Sequence, residues 1–414
     1  LRLLAWAGAM VLGLLLAMVA FLVLVPVFVI RGFRTTQETR HIVTALTANL
    51  REERLSREER NDSVTFVWES RDRLANIGWI CAGAYERSEE RDGGLLFSTY
   101  LDTSDTASAA AIRRQVKELV GFYGSWFTPY RFSKLAVVEV DNGVAGRNVL
   151  AIASPSMILM KRMAFTTKDV FNQVASVLPH EVAHQWWPMS VFIRDEDAAL
   201  LSEGMCEYSA LVAGESAGRM TGRDSLGHHP LLRLLLSRAA RGEERPLREK
   251  TDLRATPTHY LKGSYVHNML RATLGDSLFR LLYATYAREF ALRTATMENF
   301  QAIAERISHA PLGWFFRQWV DGTAIPRLRL YNVKTTPDSL GGWRTRGRVR
   351  LVGYEKFTTP VRVGLVTPVD SPRVALWLGE DVTSGGAYRN DVPFELRSKG
   401  RPSRAILDPD GGVL

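Results

Sequence analysis

Two histidines and a glutamate at a fixed spacing constrain this chain more than any other feature of its sequence. His180 and His184 are the ends of the motif HEVAH, and eighteen residues separate His184 from Glu203. Residues four apart on an α-helix lie on one face, so both imidazoles reach one ion. The loop at 190–197 lets the chain reverse, and a second helix predicted over 198–212 brings Glu203 beside the histidines. The sequence therefore predicts a helix–loop–helix unit built around a metal ion.

The donor types in this pattern predict zinc. Two imidazoles and one carboxylate leave one tetrahedral position of Zn²⁺ open, which is typical of catalytic zinc sites. Glu181 follows the first ligand directly and is placed to act as a general base on a water molecule at the ion. We therefore expect one Zn²⁺ per chain, held by His180, His184 and Glu203. The alternative is a surface helix with stray histidines, and the position of Glu203 argues against it.

The residues around these ligands resemble a known family. The segments HEVAHQWW and LSEGMCEYSA, at this separation, are similar to the aminopeptidase N family of gluzincin zinc metallopeptidases, whose pattern is HExxH-x18-E. The resemblance covers roughly residues 63–326 of the chain. It implies a thermolysin-like catalytic domain and a peptide substrate. It also implies that His180, His184 and Glu203 are the zinc ligands and that Glu181 is the catalytic base.

The same family places a tyrosine in a Y-x-K-G segment after the third ligand, and Tyr260–Gly263 matches that pattern. The match implies that the Tyr260 hydroxyl donates a hydrogen bond to the oxyanion of the tetrahedral intermediate, a catalytic role. The alternative is an aromatic residue packed at the start of a helix. Glu207 lies one helical turn after Glu203, where it orients a ligand histidine or is a solvated acid. His259 and His267 lie near Tyr260; lining of the cleft is one interpretation, and a packed or solvated role is the preferred one.

One segment departs from the family pattern. The family carries a G-x-M-E-N motif, whose glutamate binds the substrate's free amine, on the edge strand before the zinc helix. The matching segment here, IASPSMILM at 152–160, contains no acid. We assign Ser154, Ser156 and Met157 to substrate binding, because this strand can still pair with an extended peptide. Three other acids are candidates to replace the missing carboxylate: Asp195, Glu196 and Glu207.

These features predict a zinc-dependent metallopeptidase, with an aminopeptidase-like hydrolase as the first interpretation. The missing acid leaves open a zinc endopeptidase, or another amide hydrolase that does not recognise a free amine. A third alternative is a catalytically silent, peptide-binding part of a transporter-like membrane assembly. Pro179, directly before the first ligand, is a further departure, and the helix is predicted to bend there or to restart with Pro179 in its first turn.

The N-terminal segment predicts a membrane anchor. Residues 3–30 contain no charged residue, and a helix needs about 20 apolar residues to cross a bilayer. Pro26 is expected to kink or end that helix. The resemblance extends to zinc peptidase modules attached to multi-span, transporter-like bacterial membrane proteins. It implies a single span in the bacterial inner membrane, the lipid bilayer and a transporter-like protein as partners, and a catalytic domain outside the cytoplasm. The basic residues at 31, 34 and 40 favour a cytoplasmic body instead.

The predicted fold class is α+β. The charged segment REERLSREER at 51–60 has a helix-forming composition and is predicted to be a solvated helix or spacer. The predicted domains are a transmembrane helix as anchor at 1–33, a charged spacer at 34–62, a remnant β segment at 63–104, the gluzincin catalytic domain at 105–325 and a β-sandwich-like C-terminal module at 326–414.

Charge and cysteine content narrow the choice of partners. The net charge of +9 is spread along the chain, without a dense basic run interleaved with aromatic residues, so no nucleic-acid partner is expected. Cys81 and Cys206 are too few for a disulfide framework and are predicted to be buried thiols.

Overall fold

The computed structural model describes residues 80–144, 149–166, 170–218, 232–249, 257–353, 357–381 and 386–409, and the backbone of short strands between 27 and 69. The chain divides into two compact units. One contains Leu1–Gly121 and Pro129–Ser190, and the other contains Phe122–Thr128 and Val191–Leu414. The elements of each unit follow in chain order.

The first elements that the structure describes in this unit are five strands: β1 (Val27–Arg31), β2 (Ile42–Leu46), β3 (Arg54–Arg60), β4 (Ser63–Glu69) and β5 (Ile80–Ala84). β4 pairs antiparallel with both β1 and β3, and β2 pairs antiparallel with β5. The prediction of a solvated helix or spacer at 51–60 is therefore wrong for Arg54–Arg60. The neighbouring run SVTFVWE of β4 is rich in β-branched and aromatic residues, and pairing with it overrides the helical propensity of the charged segment.

The predicted membrane span at 3–30 lies mostly outside the described residues, which start at Val27. Its last four residues belong to β1, so the predicted helix does not extend through them. Pro26 precedes β1, and a proline both lacks an N–H donor and disfavours the α conformation in the residue before it. Among the helices that the structure describes, none has the length and apolar character that crossing a bilayer requires.

A five-stranded mixed sheet follows, made of β6 (Glu86–Asp92), β7 (Leu95–Leu101), β8 (Lys134–Val140), β9 (Ala151–Ser154) and β10 (Met157–Lys161). The strand order is β6-β7-β8-β10-β9, with β7, β8 and β10 parallel and the two edge strands antiparallel. The parallel strands β8 and β10 are buried almost throughout, which explains their near-continuous apolar sequences. The run KLAVVEV of β8 is rich in β-branched and apolar residues, which is typical of a buried strand.

Three helices complete this part of the chain: α1 (Ala109–Trp126), α2 (Met163–Thr166) and α3 (Val170–Ala183). Apolar residues recur three and four positions apart along α1, a spacing that indicates one buried helix face, and the structure buries all of them: Ile112, Val116, Leu119, Val120 and Tyr123. α3 contacts β9, so the helix that carries His180 and ends directly before His184 lies against one edge of the sheet.

The second unit is mainly helical up to Asp321. A short parallel pair, β11 (Phe192–Ile193) and β12 (Thr294–Ala295), accompanies its helices. The α-helices are α4 (Met205–Ser216), α5 (Leu232–Ala240), α6 (Gly263–Leu274), α7 (Asp276–Glu289), α8 (Met297–Ser308) and α9 (Gly313–Phe316). Among the described residues, three π-helical turns precede or follow them: Ala199–Gly204, Pro257–Lys262 and Arg317–Asp321. An aromatic core of α7 and α8 holds the helices together: Phe279, Tyr283, Tyr286 and Phe300.

The C-terminal module contains two antiparallel sheets. Their strands are β13 (Arg327–Pro337), β14 (Trp343–Val352), β15 (Thr359–Val366), β16 (Arg373–Asp381), β17 (Gly386–Arg389), β18 (Asp391–Ser398) and β19 (Arg404–Leu407). One sheet has the order β13-β14-β18, and the other has the order β17-β16-β15-β19. β16 contacts β18 across the two sheets. Buried and less buried residues alternate along β14 and along much of β18, as expected when one sheet face packs on the core. The described residues after Pro326 thus form antiparallel β-structure, and their predicted arrangement as a β-sandwich-like module remains a prediction.

Candidate metal centre

The two histidines of the motif lie together at the end of α3. Their ring centroids are 4.8 Å apart with an interplanar angle of 80°. His180 is 8% exposed and His184 is 9% exposed, so both imidazoles are largely removed from water. Residues one helical turn apart on the same face give this juxtaposition, which was predicted from the spacing alone.

Pro179 lies inside α3, which runs unbroken from Val170 to Ala183. The alternative in which the helix restarts at Pro179 is therefore wrong. The backbone N–H of His184 still reaches the carbonyl of His180, at 3.2 Å, so helical hydrogen bonding continues through the motif after the proline. Both histidines follow the proline, where its missing N–H and its ring no longer interfere with the helix.

The orientation of the His184 ring follows from a hydrogen bond to the backbone. Its Nδ1 lies 2.7 Å from the carbonyl oxygen of Trp187. A carbonyl only accepts, so Nδ1 carries the proton and donates it, and Nε2 keeps its lone pair. Such a bond fixes both the tautomer and the ring plane of a metal-ligating histidine. No sequence pattern indicates this contact.

Three potential ligands form one group in the described part of the chain. His180, His184 and Glu203 each offer one ligand atom, and these atoms all lie within 4.8 Å of one another. Two imidazole nitrogens and one carboxylate oxygen are a donor set that zinc accepts, with a fourth position left for water or substrate. The residues present therefore fit the zinc ion that the sequence predicts.

Glu203 lies in the π-helical turn Ala199–Gly204, directly before α4. The sequence predicted a regular helix over 198–212, so the helical character is confirmed but its irregular first turn was not foreseen. π-helical turns are rare and occur frequently at functional sites. The turn widens the helix locally around the residue predicted to be the third ligand.

Glu181 and Glu207 occupy different environments. Glu181 follows His180 on α3 and is buried, at 7% exposure. Glu207 lies in the first turn of α4 and is partly buried. The pKa of Tyr123 is raised well above its ordinary value, mainly by burial of the phenol and then by the Cys206 thiol. The charge of Glu207 is the third and smallest cause. The predicted roles of both acids remain predictions.

The serines assigned to substrate binding lie in the tight turn between β9 and β10. The side chains of Ser154, Ser156 and Met157 are all buried. Ser156 has a φ of 59°, an unusual value for a residue other than glycine. Their contact with substrate remains a prediction. Because the side chains are buried, such a contact would involve the backbone along β9.

Gln185 holds this turn, and sequence reasoning missed it. Its Oε1 accepts a hydrogen bond from the Ser156 N–H at 2.8 Å, and its Nε2 donates to the Ser154 carbonyl at 3.0 Å. The side chain is completely buried. The residue after the second histidine therefore connects the metal helix to the edge of the sheet. The only sequence signal was a polar residue between two buried segments.

Tyr260 belongs to the second π-helical turn, Pro257–Lys262, which packs against the turn that carries Glu203. Its side chain is partly buried. Two residues on, the Lys262 ammonium is fully buried and donates to the carbonyls of Gly322, at 2.8 Å, and Arg245, at 3.2 Å. Lys262 thus connects the Tyr260 turn to two other segments of the same unit.

Burial lowers the pKa of Lys262 from 10.5 to about 8, against a smaller opposite effect of the Glu244 carboxylate. Between these two pH values the unfolded chain keeps the proton that the folded chain has lost, so folding becomes more favourable as the pH rises. The free energy of unfolding of the wild type relative to Lys262→Met is therefore expected to rise across this window, by at most about 3 kcal/mol. Urea denaturation at a series of pH values measures it.

Lys117 provides the control, because it lies partly exposed on α1 and pairs with Glu90 and Asp92. The free energy of unfolding of Lys117→Met, plotted against pH, is expected to stay parallel to that of the wild type from pH 8 to about 10. If the free energy of unfolding of Lys262→Met changed with pH in parallel with that of the wild type over the same range, the assignment of a buried, destabilised ammonium would be contradicted.

Comparison with known proteins identifies the family. The Peptidase family M1 domain matches residues 111–319, half of the chain. Aminopeptidase N of Haemophilus influenzae is 28% identical over 178 residues, which are 41% of this chain and 20% of that protein. Aminopeptidase N of Caulobacter vibrioides is 25% identical over 260 residues, 59% of this chain and 28% of that protein. The chain thus matches only about a quarter of the length of these curated relatives.

Solved structures share the fold. A structure of Legionella pneumophila aminopeptidase A has a TM-score of 0.69 at 18% identity and covers 93% of this chain and 44% of its own. The M1 zinc metallopeptidase of Deinococcus radiodurans has a TM-score of 0.52 at 22% identity, covering 69% of this chain and 62% of its own. The matched domain contains every residue predicted for the metal group. The chain therefore belongs to peptidase family M1, the aminopeptidase N family of gluzincin zinc metallopeptidases.

Proposed function

We propose that this chain hydrolyses peptide bonds with one zinc ion, held by His180, His184 and Glu203. The observation that carries the proposal is the convergence of these three ligand atoms within 4.8 Å, in the segment that matches the family domain. The hydrogen bond from His184 Nδ1 to the Trp187 carbonyl supports it, because it leaves the other ring nitrogen available for a metal.

Zinc bound at these residues supplies a Lewis acid, which polarises a carbonyl and makes water nucleophilic near neutral pH. The Glu181 carboxylate takes the proton of the attacking water and later gives it to the leaving amine nitrogen. The burial of Glu181 suits this role, because a general base works best where bulk water does not compete. The Tyr260 O–H donates a hydrogen bond to the oxyanion that develops on the substrate carbonyl.

An aminopeptidase-like specificity is the first form of the proposal. Its support is that the curated relatives named above are aminopeptidases. The candidate strand for the peptide backbone is β9, because it is an edge of the five-stranded sheet and α3 contacts it. Among the candidate acids for a free amine, Asp195 is exposed, whereas Glu196 is paired with Arg194 at 3.3 Å.

An endopeptidase is the second form, and one specific observation favours it. The turn from Ser154 to Met157 carries no carboxylate, and its side chains are buried, so they offer no counter-charge to an ammonium group. Placing an ammonium in a partly dry site without a carboxylate is unfavourable. An enzyme that cleaves within a peptide does not need that interaction.

The test of the function compares free and N-acetylated versions of the same fluorogenic peptides, using zinc-loaded protein and protein stripped by a chelator. We expect hydrolysis only with zinc, and a preference of at least about tenfold for the free amine if an aminopeptidase-like pocket exists. Equal rates on both versions would favour the endopeptidase. Absence of turnover across a diverse library, with zinc bound, would contradict both forms.

We also propose that the uncharged segment at 3–26 anchors the domain in a bacterial inner membrane, with the catalytic domain outside the cytoplasm. The support is the absence of charge over a length sufficient to cross a bilayer. The lipid bilayer, and a transporter-like protein beside it, are the proposed partners. Release of the full chain from membranes by alkaline carbonate, without detergent, would contradict the anchor.

A further inference from the structure

Two glycines lie in backbone contact between the turns that carry Glu203 and Tyr260. Gly204 ends the first turn, and Gly263 directly follows the second. A Cβ atom on Gly204 would lie 2.9 Å from Gly263 Cα and 3.0 Å from the Ala199 carbonyl oxygen. One on Gly263 would lie 2.8 Å from Gly204 Cα and 2.9 Å from the same oxygen.

Such distances exclude any side chain at either position. The atoms in the way are backbone atoms, so no rotamer change relieves the clash, and the two turns must separate instead. A protein interior at native packing density does not absorb such a shift without moving its neighbours. The close approach of the two turns therefore depends on glycine at both positions.

His267 binds the same turn at a second point. It lies four residues after Gly263, on the same face of α6. Its Nε2 is 3.0 Å from the carbonyl oxygen of Leu200, which also accepts the Met205 N–H and so closes the π-helical turn around Glu203. Since a carbonyl only accepts, Nε2 carries the proton. Burial lowers the pKa of His267 to about 4, in keeping with a neutral imidazole.

Aromatic rings fix the position of the imidazole. Tyr208 stacks on it with ring centroids 6.0 Å apart, and the edges of Tyr283 and Phe300 meet it at 5.7 and 6.0 Å. The side chain is completely buried. Rings on three sides restrict the movement of the His267 side chain. Its hydrogen bond to the Leu200 carbonyl therefore restrains the π-helical turn around Glu203.

We propose that Gly204, Gly263 and His267 form a positioning unit that holds the Glu203 turn against the Tyr260 turn. The inference rests on the proposed function, in which Glu203 binds zinc and Tyr260 stabilises the oxyanion. One helix, α6, thereby fixes the positions of Glu203 and Tyr260 relative to each other. Catalytic groups need placement to about 0.5 Å, and a displacement of about 1 Å costs on the order of a hundredfold in rate.

The experiment measures zinc affinity by chelator competition, together with kcat and KM, for Gly204→Ala and Gly121→Ala. Gly121 is the matched control, because it also lies in a helix but nothing stands within 4 Å of its added Cβ. We expect Gly204→Ala to weaken zinc binding about a hundredfold and to lower kcat more than it raises KM. We expect Gly121→Ala to match the wild type in all three quantities.

Two substitutions of His267 test the second contact in a chain that keeps both glycines. His267→Phe keeps the aromatic packing but removes the donor to the Leu200 carbonyl, whereas His267→Gln keeps a donor near the same position. We expect zinc affinity to fall roughly tenfold in His267→Phe, the value of one buried hydrogen bond, and to return to within about threefold of the wild type in His267→Gln.

The outcomes separate this inference from the proposed function. A folded Gly204→Ala with wild-type zinc affinity and kcat would overturn the inference. If Gly204→Ala does not fold, equal zinc affinity in the two His267 variants would overturn it. A wild-type chain that binds zinc but hydrolyses no peptide would refute the proposed function, while the zinc affinities of the variants still decide the inference. A wild-type chain that binds no zinc would overturn both.

Discussion

Replacing Glu181 by glutamine is expected to lower kcat by about 10³- to 10⁴-fold while the chain keeps its zinc. The amide has nearly the same shape as the carboxylate but cannot accept the proton of the attacking water. The effect lies at the upper end for general acid–base catalysis, because the same carboxylate also protonates the leaving amine. Steady-state kinetics on a fluorogenic peptide, with zinc content measured on the same sample, provide the check.

Glu118→Gln is a suitable control, because Glu118 is exposed on α1 and lies outside the proposed site. It is expected to leave kcat and zinc content unchanged. A Glu181→Gln protein that retains zinc and works within about tenfold of the wild-type rate would contradict the general-base role. Loss of zinc together with activity would mean instead that Glu181 serves the metal rather than the water.

Replacing Glu203 by alanine is expected to weaken zinc binding by more than about a hundredfold and to remove measurable turnover at stoichiometric zinc. Loss of a residue that only orients a ligand costs about 10- to 100-fold in affinity, so loss of a ligand itself costs more. The two remaining imidazoles also lose the negative charge that partly neutralises the ion. Competition against a chelator of known affinity measures the change.

Glu215 is the matched acid for this second experiment. It lies in α4, and its carboxylate pairs with Arg271 at 3.0 Å near the protein surface. Glu215→Ala is expected to change stability by no more than about 1 kcal/mol and to leave zinc affinity unaltered. If Glu203→Ala bound zinc as tightly as the wild type, a different residue would be the third ligand, and the assignment of Glu203 would fail.

The regular part of the metal centre could be predicted from sequence because helical periodicity alone determines it. His184 lies four positions after His180, and a helix of any origin places the two on one face. Along α1, likewise, apolar residues three and four positions apart mark the face that the structure buries. These elements depend on local patterns, and their neighbours in space only reinforce the local preference.

The π-helical turn at Glu203 could not be predicted in this way. Nothing in its sequence distinguishes it from a regular helix, and its Leu200 carbonyl is bound by His267, 67 positions further along the chain. Strand Arg54–Arg60 was missed for the same reason, because its pairing with β4 outweighs its own composition. Gln185 was missed because its partners, the backbone of Ser154 and Ser156, give no sequence signal.

The charged strand β6 makes the two edges of the five-stranded sheet differ in their capacity to pair with another strand. β6 carries the sequence ERSEERD, is exposed along its length and forms the edge opposite to β9. Charged side chains on both faces of an edge strand oppose the docking of a further strand. Copies of the chain are therefore protected from joining into longer sheets at β6, the edge away from the strand proposed for the backbone of a peptide.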